Sequence, residues 1–311
     1  MGVWVRVTVL GSGGSVPTRE RMAPAIAVTD WMGYNILLDA GEGVQVSMQT
    51  VGMSPSSLDL VAVTHSHGDH VNGLPGLLQS MYVNDRERPL TLVAPRQVLD
   101  FVFEVLEATE TRIGFRIDAV EASGWGSYTV WSRGGDELRL RWLPSCHTKE
   151  SVAFLLEWRL RPRLDTGRLE DLGLQPGAWV KDLIERGEAV TEGRRIRLED
   201  VSSRIEPIRV LYTGDTGPCT SILRAAMGVD LLIHDSTYTS ARRREALERG
   251  HSTSLDAAII ARRAGVRMLL LAHVSARYSG WGALEMLREA RRIHEATILA
   301  WDGATVEVSR P

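Results

Sequence analysis

The segment His65-Ser66-His67-Gly68-Asp69-His70 crowds three imidazoles and a carboxylate into six residues. As packing this is costly, because each group needs a partner when buried and charged imidazoles repel one another. A divalent metal removes the cost, since neutral histidine nitrogens and ionised carboxylates are its preferred ligands. In extended chain His65 and His67 point to one side. Asp69 and His70 follow Gly68, where the turn redirects them toward a second position. The spacing predicts two metals, and hydrolysis in which the pair acidifies a water and holds an in-line electrophile.

The chain has eight histidines, and the rest extend the pattern. His147 follows the strand-like LRWLP, His234 lies in LLIHDST, and His273 in LLLAHVSARY. His251, in RGHSTS, precedes a helix, while His294 reads as an ordinary surface residue of a charged helix. A lone strand-end histidine is more often hydrogen-bonded scaffolding. Three strand ends and a helix start beside a His/Asp cluster point instead to a site. Asp215, in VLYTGDTG, would by itself be an Asx-turn residue. Beside the cluster it is the natural carboxylate to bridge two metals roughly 3.5–4 Å apart.

Short β-branched runs and helical patterns must position these groups. Strands are predicted at Val3–Leu10, Ala25–Thr29, Asn35–Asp39, Leu60–Thr64, Leu90–Ala94, Leu138–Leu143, Val152–Trp158, Ile208–Thr213, Leu231–Asp235 and Met268–Ala272. Helices are predicted at Val44–Val51, Leu74–Tyr82, Gln97–Leu106, Ser240–Glu248, Leu255–Ala264 and Ala283–Ile293. In Leu255–Ala264 the apolar Leu255, Ala258, Ile259 and the stem of Arg262 define the expected packing face. Some strands are separated by helices and others follow one another closely, which implies an α/β fold with mixed sheets and outer helices. Residues from about Arg159 to Glu206 break the pattern, being charged, turn-rich and poor in core-forming runs. A short amphipathic helix at Trp179–Arg186 is the exception. A stretch this long inside a domain is usually functional or disordered, and it reads as a projecting insertion.

The N-terminal run VWVRVTVLGSGGSVPTRERMAP resembles the start of a dinucleotide-binding loop. That fingerprint needs glycine at its sixth position and a helix directly after, but Val16 and Pro17 stand there. The glycines are therefore expected to make a sharp turn by supplying positive φ.

At 311 residues, 44% hydrophobic and 24% charged, the composition is that of a soluble globular protein. A formal charge of −3 excludes bulk basicity, so a polyanion surface must be local or supplied partly by metal. Cys146 and Cys219 form no secreted-type disulfide framework and are expected to be buried small hydrophobes in a reducing cytoplasm. No run is long enough for a membrane span.

The cluster HSHGDH, with His147, Asp215 and His273, resembles the metallo-β-lactamase superfamily, which implies a four-layer αββα sandwich. GSGGSVPTRER, LLDAGEG, THSHGDHVNGLPGLL, YTGDT, HDST, HSTS and HVSARY together resemble the ribonuclease Z family, from Val7 to Tyr278 and in order. The family removes 3′ trailers from precursor tRNA. The resemblance implies two Zn²⁺ per subunit, with Mn²⁺ or Fe²⁺ also suited to the ligands. His65, His67 and His147 would hold one ion, Asp69, His70 and His273 the other, with Asp215 shared. Asp69 would orient or deprotonate the attacking water. His251 matches the general acid, and Asp235 stands where a supporting Glu is usual.

The insertion, about 159–206, matches the family's flexible tRNA-gripping arm, which usually serves the partner subunit of a homodimer. QPGAW resembles the arm's Gly-Pro stretch. Four arginines, Arg159, Arg161, Arg163 and Arg168, face one acid, Asp165, at its base. Pro17, Arg19 and Arg21 match a loop that approaches the RNA's cleaved end, where Met22 replaces the usual Asn. Thr18, Arg19, Arg21 and Arg277 are the expected substrate contacts, although an arginine such as Arg277 is by itself more often in a surface salt bridge. Two other readings keep the residues: a small-molecule ester or phosphodiester hydrolase of the same superfamily, and a non-catalytic RNA-binding module.

Overall fold

The computed structural model describes residues 2–203 and 205–310. It divides into two compact units. The larger comprises Met1–Tyr128, Leu140–Glu157 and Ile208–Pro311, and the smaller Thr129–Arg139 and Trp158–Pro207.

The strands form two seven-stranded sheets. In the first, Val3–Gly11 pairs antiparallel with Thr305–Arg310 on one side and Ala25–Asp30 on the other. Asn35–Leu38 continues antiparallel, and Leu60–Ala62, Leu90–Ala94 and Ile117–Glu121 follow in parallel. In the second, Ile208–Tyr212, Leu231–Asp235, Met268–Ala272 and Thr297–Leu299 run parallel. Val152–Arg159, Asp136–Pro144 and Gly126–Arg133 complete it.

Each sheet has its own helical layer. Leu37, Val61 and Leu92 pack under Val44–Thr50, Gly73–Val83 and Arg96–Ala108. Leu211, Leu232 and Leu269 pack under Thr220–Ala225, Ser254–Ala264 and Trp281–Arg291. Neighbouring residues on the opposite faces, including Ile36, Leu60, Val210 and Ile233, are also buried. Faces without helices must cover each other, which gives four αββα layers.

Strands Leu90–Ala94, Leu231–Asp235 and Met268–Ala272 lie where the sequence predicts them. The helix Ser254–Ala264 buries Ala258 as expected, but its inward face turns away from Ile259 and Arg262. Ala257, Ile260, Ala261 and Ala264 are buried, whereas Ile259 is exposed. The small alanines let the helix lie close to the sheet, and the larger Ile259 is left outside. Ser240–Glu248 begins as a 3₁₀ turn, Ser240–Arg242, before its α segment. His294 lies past the helix end, where Nε2 donates to the Val266 carbonyl at 2.9 Å, so it ties two segments together and is not a free surface residue. Cys146 is exposed and Cys219 half-buried, short of the expected burial: Cys146 sits in the loop after Asp136–Pro144, and Cys219, at the start of Thr220–Ala225, packs only partly against the core.

The smaller unit is not featureless loop. Leu169, Leu174, Leu183, Ala189, Ile196 and Val201 form its own apolar cluster. The helix Trp179–Arg186 contributes Leu183 to it, while Arg186 stays exposed. Strand pairs Arg163–Leu164 with Ser202–Ser203, and Glu188–Thr191 with Arg194–Arg197, close the unit. Among the described residues no helix is long and apolar enough to cross a membrane.

Candidate metal centre

The clustered side chains sit at carboxyl ends of strands in the larger unit, where open α/β sheets place their ligands. Leu60–Ala62 leads into His65 and His67, and a single helical turn, Gly68–Val71, carries Asp69 and His70. The redirection expected of Gly68 is thus made by that turn. Asp136–Pro144 leads to His147, Ile208–Tyr212 to Asp215, and Met268–Ala272 to His273.

Potential ligand atoms of His65, His67, His147 and Asp215 lie within 4.8 Å of one another. So do those of Asp69, His70 and His273. Asp215 stands between the sets. Its Oδ2 is 3.7 Å from His65 Nε2 and 3.6 Å from His147 Nε2. Its Oδ1 is 3.2 Å from His70 Nε2 and 3.0 Å from His273 Nε2. His65 Nε2, His70 Nε2 and Asp215 Oδ1 are buried without a hydrogen-bond partner. Buried polar atoms are nearly always satisfied, so orphans in both histidine sets and on the carboxylate between them fit divalent cations as the missing partners.

Protonation follows the same logic. Burial holds His65 well below its ordinary pKa, helped by the neighbouring His70, and burial also lowers His147. Both are thereby neutral and ready to ligate. Burial opposes charge on Asp69, but the hydrogen bond from His273 and the charge of His70 keep its carboxyl well below the usual range. Burial likewise opposes charge on Asp215, and His273 and His70 overcome it.

The sequence reading assigned no role to Asp39. It is fully buried at the end of Asn35–Leu38, in a left-handed conformation with φ 59°. Its carboxylate accepts from His70 Nδ1 at 2.7 Å, Thr64 N at 2.7 Å and the Tyr212 hydroxyl at 2.6 Å. Holding Nδ1 turns the free Nε2 of His70 toward Asp215, as a carboxylate behind a metal-bound histidine does. Thr237 is the second such residue, its hydroxyl lying 2.8 Å from His273 Nδ1 and 3.2 Å from His251 Nδ1. An Asp closing an apolar strand, two residues before Gly41, was the available signal for Asp39. Nothing local marks Thr237.

His251 and Asp235 lie beside the two sets. The shorter Asp235 reaches His251 Nδ1 at 2.9 Å. Its remaining capacity is taken by the Thr216 and Thr237 amides at 3.0 and 2.9 Å and the Thr237 hydroxyl at 2.7 Å. Burial opposes the His251 charge, yet Asp235, with Asp215 beyond, raises its pKa to about 9. His234 is buried one residue earlier, with Nδ1 2.7 Å from the Asp235 carbonyl, and joins none of the ligand groups.

The glycine loop closes the centre on one side. Gly13 and Gly14 pair with Val274 and Ser275, and the Ser15 amide donates to Asp69 Oδ2 at 2.8 Å. The glycines are there for closeness and not for positive φ, which falls on Ser15 at 64°. A Cβ on Gly14 would lie 2.5 Å from the His273 ring, and one on Gly11 would lie 1.7 Å from the Ala23 carbonyl oxygen.

The expected substrate contacts divide. Thr18 folds back on its own loop, its hydroxyl accepting from the Arg21 amide at 3.0 Å, and Arg19 is exposed. Arg21 is not presented to an RNA phosphate. It is buried, and Nη1 donates to Ser12 Oγ at 2.7 Å and the Ala300 carbonyl at 2.6 Å. Arg277 pairs with Glu245 at 2.7 Å on the surface.

Two helix-clad sheets with a His/Asp centre at their strand ends, able to hold a divalent metal, are the architecture of the metallo-β-lactamase fold. A family model described as Anti-Pycsar protein Apyc1 matches residues 5–157. A ribonuclease Z of Aeropyrum pernix is 49% identical over 306 residues, covering 98% of this chain and 99% of its own. The chain therefore belongs to the ribonuclease Z family. Its structure is similar to the short form of human tRNase Z, with TM-score 0.69 and 21% identity over 97% of this chain and 98% of that one. It is also similar to the metallo-β-lactamase fold protein YhfI of Bacillus subtilis, with TM-score 0.67 and 19% identity over 98% and 99%.

Proposed function

We propose that this chain is a cytoplasmic endoribonuclease that removes the 3′ trailer of precursor tRNA and leaves a 3′-hydroxyl on the tRNA. The observation that carries the reading is the division of Asp215 between two histidine sets, beside a histidine backed by its own carboxylate. His65, His67, His147 and Asp215 would hold one Zn²⁺, and Asp69, His70, His273 and Asp215 a second; Mn²⁺ or Fe²⁺ suits the same donors. When bound, the metals supply Lewis acidity toward water and neutralise phosphate charge.

The chain's own groups supply the rest. Asp69, kept ionised, orients the attacking water and accepts its proton. His251 has Nδ1 engaged by Asp235, which leaves Nε2 to protonate the departing 3′ oxygen. Asp235 is a positioning residue that keeps that proton in place. Thr18 and Arg19 line the approach, and Arg277 anchors a phosphate on exchanging its Glu245 partner. The smaller unit is the tRNA-gripping arm, with Arg159, Arg161, Arg163 and Arg168 at its base, and it acts in a homodimer.

The test is incubation of metal-loaded protein with a trailer-bearing precursor tRNA and, separately, with a small aryl phosphodiester. Chelator should abolish both activities. Hydrolysis of the ester without cleavage of the RNA overturns the tRNA assignment and leaves a small-molecule hydrolase.

A further inference from the structure

Outside the metal centre, the larger unit has a groove of about 390 Å³ lined by Trp281, Trp301, Leu284 and Leu299 together with Glu20 and Arg21. Trp281 is 76% exposed and Trp301 57%. Large rings left in water beside an apolar groove are unusual for a monomer's surface and mark a binding site. Arg288 lies over the Trp281 ring at 5.7 Å, which puts a cation at the rim.

The groove is built into the same piece of structure as the metal centre. Asp302, next to Trp301, accepts from the Ser12 amide at 2.9 Å and hydroxyl at 2.7 Å, and from the Met22 amide at 2.6 Å. It therefore clamps both ends of the loop whose middle, Ser15, touches Asp69. Arg21 joins that loop to Ala300. One wall of the groove and one wall of the centre are thus two sides of a single tethered loop.

We infer that this groove is a stacking site for an unpaired nucleobase of the RNA trailer. Flat indole faces accept any base, and the volume falls at the small end of ligand sites (roughly 300–1,000 Å³), enough for a base but not for a duplex. Arg288, over the Trp281 ring, and Arg21 in the lining outweigh the acid Glu20 and supply the positive charge that a strand's phosphates need. The departing 3′ oxygen belongs at His251, and the loop that lines the groove reaches the centre through the Ser15 contact to Asp69. The strand that continues beyond the scissile phosphate is the one that passes it. The inference rests on the tRNA-processing reading and adds a specificity site to it.

The test pairs RNA and protein changes in the metal-loaded full-length enzyme. Precursor tRNAs carry either normal trailers or trailers whose first three nucleotides are abasic. The wild-type enzyme should show a KM about tenfold higher for the abasic trailer. Trp281→Ala and Trp301→Ala should raise KM similarly on the normal trailer and lose the distinction between the two RNAs, while Trp281→Phe restores it. Equal KM for both RNAs with the wild type overturns the inference alone. Coupling to abasic positions upstream of the cut, instead of downstream, overturns the trailer assignment. A changed oligomeric state in Trp281→Ala marks the face as a protein interface and also overturns it, as does an equal loss on the small ester. Failure of the wild type to cleave either RNA overturns the tRNA reading, and this inference with it.

Discussion

His251 Nδ1 lies 2.9 Å from Asp235 Oδ2, a contact in which the carboxylate holds a proton on the imidazole. The raised pKa of about 9 keeps His251 protonated at neutral pH. Cleavage should therefore fall as pH rises through this value, or somewhat below it, since bound cations disfavour the imidazolium. Asp235→Asn should cut kcat on the order of 10²-fold, within the usual worth of a positioned acid, and move the alkaline limb to lower pH. A pH–rate profile with an unmoved limb would show that Asp235 does not act through His251. In the metal-free protein the same shift contributes stability that is complete below the unfolded pKa near 6.5 and is lost as pH rises through about 9. Thermal midpoints measured across that window check the sign.

Asp39→Asn should weaken metal binding by about 10- to 100-fold, because the carboxylate that fixes His70 is lost. Competition with a coloured chelator reads this directly. Unchanged affinity would reduce Asp39 to a scaffold for Thr64 and Tyr212.

Gly14→Ala should cost about 10² in cleavage rate, the scale expected when a reacting group is moved by about 1 Å. The added methyl would stand 2.5 Å from the His273 ring, and both ring and loop must shift. Metal content measured beside the rate separates a lost ion from a displaced one.

Arg21→Ala should destabilise the fold by about 2 kcal/mol, because Ser12 and Ala300 lose a buried charged donor. Arg19→Ala should instead weaken RNA binding and flatten its salt dependence by about one phosphate contact. Denaturant melts and binding at several salt concentrations distinguish a strut from a contact.

Replacing residues 159–206 by a short linker should abolish precursor tRNA cleavage while small-ester hydrolysis persists. The separate apolar cluster of Leu169, Leu183, Ile196 and their neighbours is what permits the excision. Equal loss of both activities would make the segment part of the main fold's stability.

The strands legible in the sequence were those buried on both faces, such as Leu231–Asp235, whose apolar run has no polar interruption. Ile117–Glu121, Gly126–Arg133 and Thr305–Arg310 escaped because they are partly exposed and mix charge with apolar residues. The cluster from His65 to His70 was legible because its members are adjacent in the chain. Asp39 and Thr237 were not, since their meaning comes from His70 and His273, brought to them only by folding. Arg21 shows the converse. Its place in a basic loop implied a phosphate, but the carbonyl that claims it is 279 residues away.

That distance bears on when the enzyme comes into being. The loop from Ser12 to Met22 is synthesised early, yet Ala300 and Asp302 hold it, and the first strand waits for Thr305–Arg310 as its neighbour. A ribosome-bound chain that has passed His273 carries every ligand but has no fixed wall beside them. A chain ending just before residue 300 would contain every candidate ligand and lack the hydrogen bonds that tether this wall.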